Sequence, residues 1–481
     1  MNFAIVRYLI GWMLGIESIF LLLPALTAVI YGEAELPAYL TAAAISLAGA
    51  ALLCHRKPKN TRFYAREGYV TVALCWLVLA VIGALPFVLS REIPFFIDAL
   101  FETVSGFTTT GATILGDVEA LSHASMLWRC LTHWVGGMGV LVFMLIVLPL
   151  AGGQTIFLMR AESPGPSVSK MSPHMRDTAT ILYAIYFGLT VLQMILLLIG
   201  GMPFFDAICV SLGTAGTGGF GNWNDSIAHY NSVYLQNVIT VFMILFGINF
   251  SAYFLILTRK FRQAFRIEEI RVYLGVIFVF AGLIAFNVRP MFGSLRESFH
   301  HALFQVASII TTTGFSTVDF DQWPTFSRAL LVLLMFIGAC AGSTGGGIKC
   351  SRILLLGKSV KKEMMCLIHP RLVRVNKMDG QRVPHEVMRS INVFVVAYAF
   401  IFILSLLIIS LNCEDLVTCF TSVATTLNNV GPGLSLCGPT CNFGFFPPLS
   451  KGVLIFDMLA GRLELFPMLL LFTPGTWQRN K

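Results

Sequence analysis

Four glycines in matched surroundings constrain this chain more than any other feature. "TTTGAT" holds Gly111, "AGTGGFGNW" holds Gly219, "TTTGFST" holds Gly314 and "NNVGPG" holds Gly431. Thirteen residues before each glycine a common lead begins: "DALF" at Asp98, "DAIC" at Asp206, "HALF" at His301 and, most divergent, Thr418. This register selects Gly219 over Gly218, because only then do the lead and "GGF" both align with the other copies. Recurrence at a fixed offset marks one supersecondary unit used repeatedly.

Each motif lies between two long apolar runs. Those before it are 69–90, 178–200, 271–288 and 391–411; those after it are 125–150, 232–257, 328–357 and 451–473. Of the 481 residues, 56% are apolar and 12% charged, against about 25% charged in soluble proteins. The runs therefore read as membrane-spanning helices. The segment between run and motif is only a half-helix, too short for a core of about 30 Å. Irregular backbone at that depth is tolerated only where protein or water surrounds it, so each motif is expected in a re-entrant loop. Residues 8–54 add a hairpin turning at Gly32 to Pro37; its first apolar stretch, Tyr8 to Tyr31, is too long for a signal-peptide core and reads as retained.

The expected fold is an all-α integral membrane protein of ten transmembrane helices. Four helix–re-entrant loop–helix repeats surround a central pore in pseudo-fourfold arrangement, beside an N-terminal two-helix hairpin. The units are 1–67 for the hairpin, 68–160, 161–262, 263–375 (with an intramembrane gate loop) and 376–481 for the repeats.

A net charge of +8 would suit a nucleic-acid binder, but its distribution argues against one. Lys and Arg gather in 55–67, 151–177, 258–271 and 349–389, whereas 201–232 and 412–450 have none. This alternation is the positive-inside pattern, with both termini cytoplasmic. Membrane lipid phosphates are natural partners for the basic face. The eleven cysteines form no CxxC pair, and most read as packing residues. Cys413, Cys419, Cys437 and Cys441 cluster in the last unit, where a disulfide stays open.

Four re-entrant loops on one axis would make a narrow pore. A dehydrating cation needs replacement oxygens, which backbone carbonyls supply, and glycine takes the unusual angles that aim them. Threonine hydroxyls can brace the loop from behind, and half-helix C-termini favour a cation. The expected cation filter is Thr109, Thr110, Gly111 and Ala112; Thr217, Gly218, Gly219 and Phe220; Thr312, Thr313, Gly314 and Phe315; and Asn429, Val430, Gly431 and Pro432.

Two further features read as a gate. "GACAGSTGGGIK", ending at Lys349, interrupts a long helix: Gly342, Gly345, Gly346 and Gly347 each disfavour helix by about 1 kcal/mol relative to alanine. Ser343 and Thr344 offer competing hydrogen bonds. Arg462 falls mid-run in the last helix, where a charge must face protein or water. It is expected below the filter, as a positive barrier holding the gate loop, with Asp457 and Glu464 finding partners on other helices. Arg129, after Trp128, reads as an interfacial anchor. His300 and His301 read as capping or packing residues.

These motifs, with "GSTGGGIK" and the arginine of "AGRLE", resemble the Trk/Ktr/HKT superfamily of potassium transporters over essentially the whole chain. The N-terminal hairpin is similar to the TrkH/TrkG branch rather than Ktr. The resemblance implies potassium as the transported ion, since all four filter glycines are present. It implies an intramembrane loop that blocks the pore from the cytoplasmic side, a homodimer, and a cytosolic nucleotide-binding ring of the TrkA kind docked on the basic face. The implied location is the bacterial inner membrane. No organic cofactor is expected on this chain: it lacks GxGxxG after a strand, and "GSTGGGIK" departs from GxxxxGK[ST].

Two other classes make different demands on the sequence. A secondary transporter of another cation or small solute would show two repeats rather than four, with buried charges or aromatic pockets at their interface. An enzyme would need clustered His, Asp or Cys at membrane depth, and none occurs at helical spacing, so no enzymatic activity is expected. Channel-like and cation-coupled flux both stay open.

Overall fold

The computed structural model describes residues 1–58, 64–147, 175–371 and 375–478. The basic segment 151–177 lies almost wholly outside the described residues. Helices α1 (Phe3–Tyr31) and α2 (Leu36–Cys54) form the N-terminal hairpin. Gly32 ends α1 at φ 69° and turns the chain. The hairpin packs on α3 (Ala65–Ser90) and α5 (His123–Val147), with Tyr39 and Leu9 fully buried.

A common order then recurs. Helix α3 precedes the half-helix α4 (Phe96–Phe107), and α5 follows. Next come α6 (Met175–Ile199), half-helix α7 (Phe204–Ala215), α8 (Val233–Phe246) and α9 (Phe250–Leu257). The third set is α10 (Glu268–Val288), half-helix α11 (Leu295–Ile310), α12 (Thr325–Ile337) and α13 (Cys350–Ile368). The fourth is α14 (His385–Ser410), half-helix α15 (Leu416–Leu427), α16 (Pro448–Arg462) and α17 (Phe466–Leu471). Among the described residues, six helices are long and apolar enough to cross a membrane, and α8 with α9 adds a seventh as a bent pair. Many of their large apolar side chains, such as Phe286, Val396 and Phe400, are exposed. That suits contact with hydrocarbon rather than water.

The post-motif helices depart from the sequence expectation in two places. Run 232–257 is not continuous: it bends by 93° between α8 and α9. Gly247 lets Tyr273 and Thr311 come close, where any side chain would collide with the tyrosine hydroxyl at 2.3 Å. Asn249 then caps the new helix by accepting from Ser251 N at 2.8 Å. Run 451–473 also breaks. It stops at Arg462, because Glu464 and Leu465 adopt positive φ of 56° and 68° and Pro467 opens the next helix. Arg462 is thus at the end of α16, not in the middle of a span. The expected break in 328–357 is present, between Ile337 and Cys350.

A two-stranded hairpin, Lys377–Met378 paired with Gln381–Arg382, interrupts the basic segment before α14. Asp379 and Gly380 turn it with φ of 51° and 79°, as an Asp-Gly two-residue loop requires.

Candidate functional site

All four half-helices end alike. The amide of Thr110 donates to Ser105 O, Gly218 to Gly213 O, Thr313 to Ser308 O and Val430 to Thr425 O, at 2.8–2.9 Å. The residue before each, Thr109, Thr217, Thr312 or Asn429, takes φ of 55–59°. This is the helix-terminating Schellman geometry, with its left-handed position usually held by glycine. Threonine there is an outlier. The glycine two residues on is also left-handed, at φ 81° for Gly111, 79° for Gly219, 87° for Gly314 and 101° for Gly431.

These segments meet in a closed ring. A methyl group on Gly111 would lie 1.9 Å from Gly218 O, and one on Gly219 would lie 2.0 Å from Thr313 O. On Gly314 it would lie 2.6 Å from Val430 O, and on Gly431 2.7 Å from Thr110 O. Each glycine thus abuts the carbonyl preceding the next glycine, and the fourth returns to the first. Only a backbone without Cβ can approach so closely.

Hydroxyls brace the ring from behind. Thr108 and Thr110 share a 2.7 Å hydrogen bond, as do Thr311 and Thr313. Asn429 Nδ2 donates to Thr110 Oγ1 and to Met458 O, both at 2.9 Å, joining the fourth motif to the first and to α16. The lead residues anchor the half-helices. Asp98 pairs with Lys451 at 2.6 Å, and Asp206 accepts from Tyr230, Asn222 and Trp223. His301 meets Thr317 at 3.0 Å, and Thr418 donates to Asp415 at 2.6 Å. That bond from Thr418, with another from Ser435, holds the Asp415 carboxyl at a pKa of about 2. His300 pairs with Gln236 at 2.7 Å.

On one side the ring opens into a vestibule, lined by all four glycines together with Arg129, Trp223, Cys437 and Cys441. Cys413, Cys419, Cys437 and Cys441 are free thiols here. Arg129 is not an interfacial anchor. It is buried, with Nε 2.8 Å from Glu102 Oε1 and its guanidinium 4.1 Å from the Phe220 ring centre. Glu102 also accepts from Ile114 N and Thr113 Oγ1 at 3.0 Å, so the pair braces the segment leaving the first motif. Trp128 donates to Gly83 O at 2.9 Å in the core rather than marking an interface.

On the other side, the segment from Gly338 to Lys349 folds as a loop against the ring. Gly346 N donates to Thr312 Oγ1 at 2.7 Å, and Thr344 Oγ1 donates to Phe246 O at 3.3 Å. Gly338, Gly342 and Gly347 take φ of 70–76°, and Lys349 Nζ closes the loop onto Gly345 O. Gly345 and Gly346 pack so tightly that a methyl would meet Ala339 Cβ at 2.7 Å or Asn428 O at 2.7 Å. Arg462 joins loop, ring and wall, donating to Thr344 O at 2.8 Å, Thr109 Oγ1 at 3.2 Å and Gly136 O at 2.7 Å. Asp457 accepts from Ser405 at 2.7 Å, and Glu464 pairs with Arg352 on α13.

Several contributors escaped the sequence reading. His133 is buried on α5; its Nδ1 is 2.7 Å from Gly106 O and its ring centre 4.1 Å from that of Phe220, so it wedges the first two motifs apart. A lone histidine in an apolar run gives no signal for this. Gly136 and Gly461 let their helices touch half-helix ends, with a methyl 1.9 Å from Phe107 O and 2.0 Å from Leu427 O respectively. Glu269, in the first turn of α10, accepts from Ala341 N and Ser351 N at 2.7 and 3.0 Å. An acidic residue in the first turn of a helix is ordinary, so its sequence position carries no signal for this.

The chain is similar to known proteins over nearly its whole length. The TrkH family, described as cation transport protein, matches residues 38–279 and 279–478. The Trk system potassium uptake protein TrkH of Salmonella typhimurium is 38% identical, covering 99% of this chain and 100% of its own. The TrkG protein of Escherichia coli K12 is 33% identical, covering 98% of both. The crystal structure of the potassium transporter TrkH from Vibrio parahaemolyticus superposes with a TM-score of 0.89 at 33% identity, covering 99% of this chain and 100% of that one. Matches of this identity and extent make the chain a member of the TrkH family of cation transport proteins.

Proposed function

We propose that this chain carries potassium into a bacterial cell across the inner membrane, through a filter formed by the four glycine motifs. Membership of the family makes it a transporter rather than an enzyme. The observation that carries the proposal is the closed cycle from Gly111 through Gly219, Gly314 and Gly431, each against its neighbour's carbonyl. Such a ring offers a dehydrated cation oxygens on every side, with the half-helix C-termini adding negative potential. Relatives that span the whole chain are named as potassium uptake proteins.

In this reading ten helices and four repeats, divided at 68–160, 161–262, 263–375 and 376–481, enclose the pore beside the 1–67 hairpin. Both termini and the loop side face the cytoplasm, and the vestibule faces outward. The Gly338–Lys349 loop stops the pore below the filter, and Arg462 pins it there. A TrkA-like nucleotide-binding ring docks on the basic face and moves the loop, and two copies of the chain pair in the lipid bilayer. A ring of carbonyls conducts without a coupled ion, so passive flow down the potassium gradient is the reading tested against cation-coupled flux.

The test is growth rescue of a potassium-uptake-deficient bacterium on low potassium. Rescue is expected, and uptake of another solute without rescue overturns the assignment. In liposomes, the reversal potential should follow the potassium gradient, and a shift with the proton gradient contradicts passive flow.

A further inference from the structure

The N-terminus of α13, where the loop ends, has no cap of its own. Lys349 precedes it at φ 79° and makes no side-chain cap bond. Free amides at a helix start need acceptors and favour a negative charge. Glu269, buried at 3% exposure on α10, supplies one from a distant helix. A single oxygen, Oε1, takes Ser351 N at the far end of the loop and Ala341 N near its start. The same carboxylate therefore clamps both ends of the segment, beside a direct bond from Cys350 N to Ala339 O at 3.0 Å.

The helix that carries Glu269 is itself capped from outside. Asp379, exposed in the hairpin turn, accepts from Glu268 N at 2.7 Å. Lys358 of α13 joins Glu268 Oε2 to Lys377 O of the same hairpin. Hairpin, α10 and loop thus form a relay of caps, each held by a residue of the preceding element.

We propose that Glu269 is the positioning residue that latches the loop in its pore-blocking arrangement, and that the 377–382 hairpin sets the latch. This rests on the loop being the gate. A partner that draws the hairpin away removes Asp379 from α10, shifts Glu269, and releases both loop ends together. The relay gives the basic segment a mechanical route to the pore that involves no filter residue.

Potassium-gradient flux in liposomes holding the full-length protein alone tests this. Glu269→Ala should raise basal flux at least about fivefold, the effect of losing less than one charge-assisted hydrogen bond. Glu269→Gln keeps an acceptor oxygen and should stay within about twofold of the parent. Potassium over sodium selectivity should be unchanged in both, which a general loosening of the pore would not preserve. Deleting Gly345 to Gly347 reports on the gate itself. If deletion raises flux while a monodisperse Glu269→Ala protein matches the parent, the latch is wrong. If deletion fails to raise flux, the gate reading is at fault. Should Glu269→Ala not fold, Asp379→Ala on the exposed turn decides: raised flux supports the relay, and unchanged flux overturns it.

Discussion

Alanine at the four ring glycines should not be equally harmful, and the expected order follows from the geometry. At Gly219 the new methyl would lie 2.0 Å from Thr313 O, so that carbonyl must retreat about 1.4 Å to reach ordinary contact at 3.4 Å. The φ of 79° adds a backbone cost of about 1–2 kcal/mol for any residue with a Cβ. Gly111 is equally tight, at 1.9 Å from Gly218 O. At Gly314 and Gly431 the gaps are 2.6 and 2.7 Å, and a retreat of about 0.7–0.8 Å suffices. Displacing a reacting or coordinating group by about 1 Å costs roughly a hundredfold in enzymes, and the same scale applies to an oxygen that must replace water. Gly219→Ala and Gly111→Ala should therefore lower potassium flux about a hundredfold and erode discrimination against sodium. Gly314→Ala and Gly431→Ala should lose about tenfold. Flux and bi-ionic reversal potentials in liposomes, on protein of normal elution, measure both quantities. Parental conduction and selectivity in Gly219→Ala, or an inverted order of severity, would refute the ring as the ion's coordination site.

Arg462→Ala removes bonds to the loop, the first motif and α5 together with a positive charge. Basal flux should rise about tenfold, equivalent to about 1.4 kcal/mol of barrier, with unchanged potassium over sodium ratio; a fall in flux at normal protein level sinks the barrier role. Glu102→Gln leaves Arg129 buried without its counter-charge in the vestibule wall, a change that costs about 3–5 kcal/mol in stability and repels the entering ion. The potassium concentration for half-maximal uptake should rise about tenfold, and Glu102→Gln combined with Arg129→Gln should bring it back. If the double variant is no better than the single one, the pair is not acting through charge.

The half-helices and their motifs could be read from the chain because a thirteen-residue offset survives in all four copies, even where the lead changes from Asp98 to Thr418. The loop after Ile337 was legible for a similar reason, since four glycines within six residues leave helix few alternatives. The break after Phe246 was not. One glycine in an apolar run is compatible with a continuous helix, and what decides is Tyr273, whose hydroxyl fills the space beside Gly247. Arg129 misled because Trp-Arg is the usual interfacial pair, whereas its partner Glu102 lies 27 residues away on another helix. Glu269 was invisible as a functional residue because its two donors, Ala341 N and Ser351 N, lie 72 and 82 residues further along the chain. In each miss the deciding contact is tertiary, and neither local propensity nor periodicity encodes it.

The left-handed threonines depend on tertiary contacts in the same way. Thr109, Thr217 and Thr312 occupy the position where a helix end normally places glycine, at about 1–2 kcal/mol each. Nothing in the tripeptide itself favours that state, since threonine prefers extended backbone. The surroundings hold it instead. Gly136 and Gly461 bring α5 and α16 against the half-helix ends, His133 separates the first two motifs, and hydroxyl pairs such as Thr108 with Thr110 consume the groups that would otherwise compete. Strain maintained in this way persists only where the scaffold over-determines it, which is characteristic of functional sites. The ring is therefore a property of the four half-helices and of the helices packed against them, such as α5 and α16, not of the motifs alone. It follows that enlarging a scaffold glycine such as Gly136 should disturb ion selection as surely as altering a filter residue.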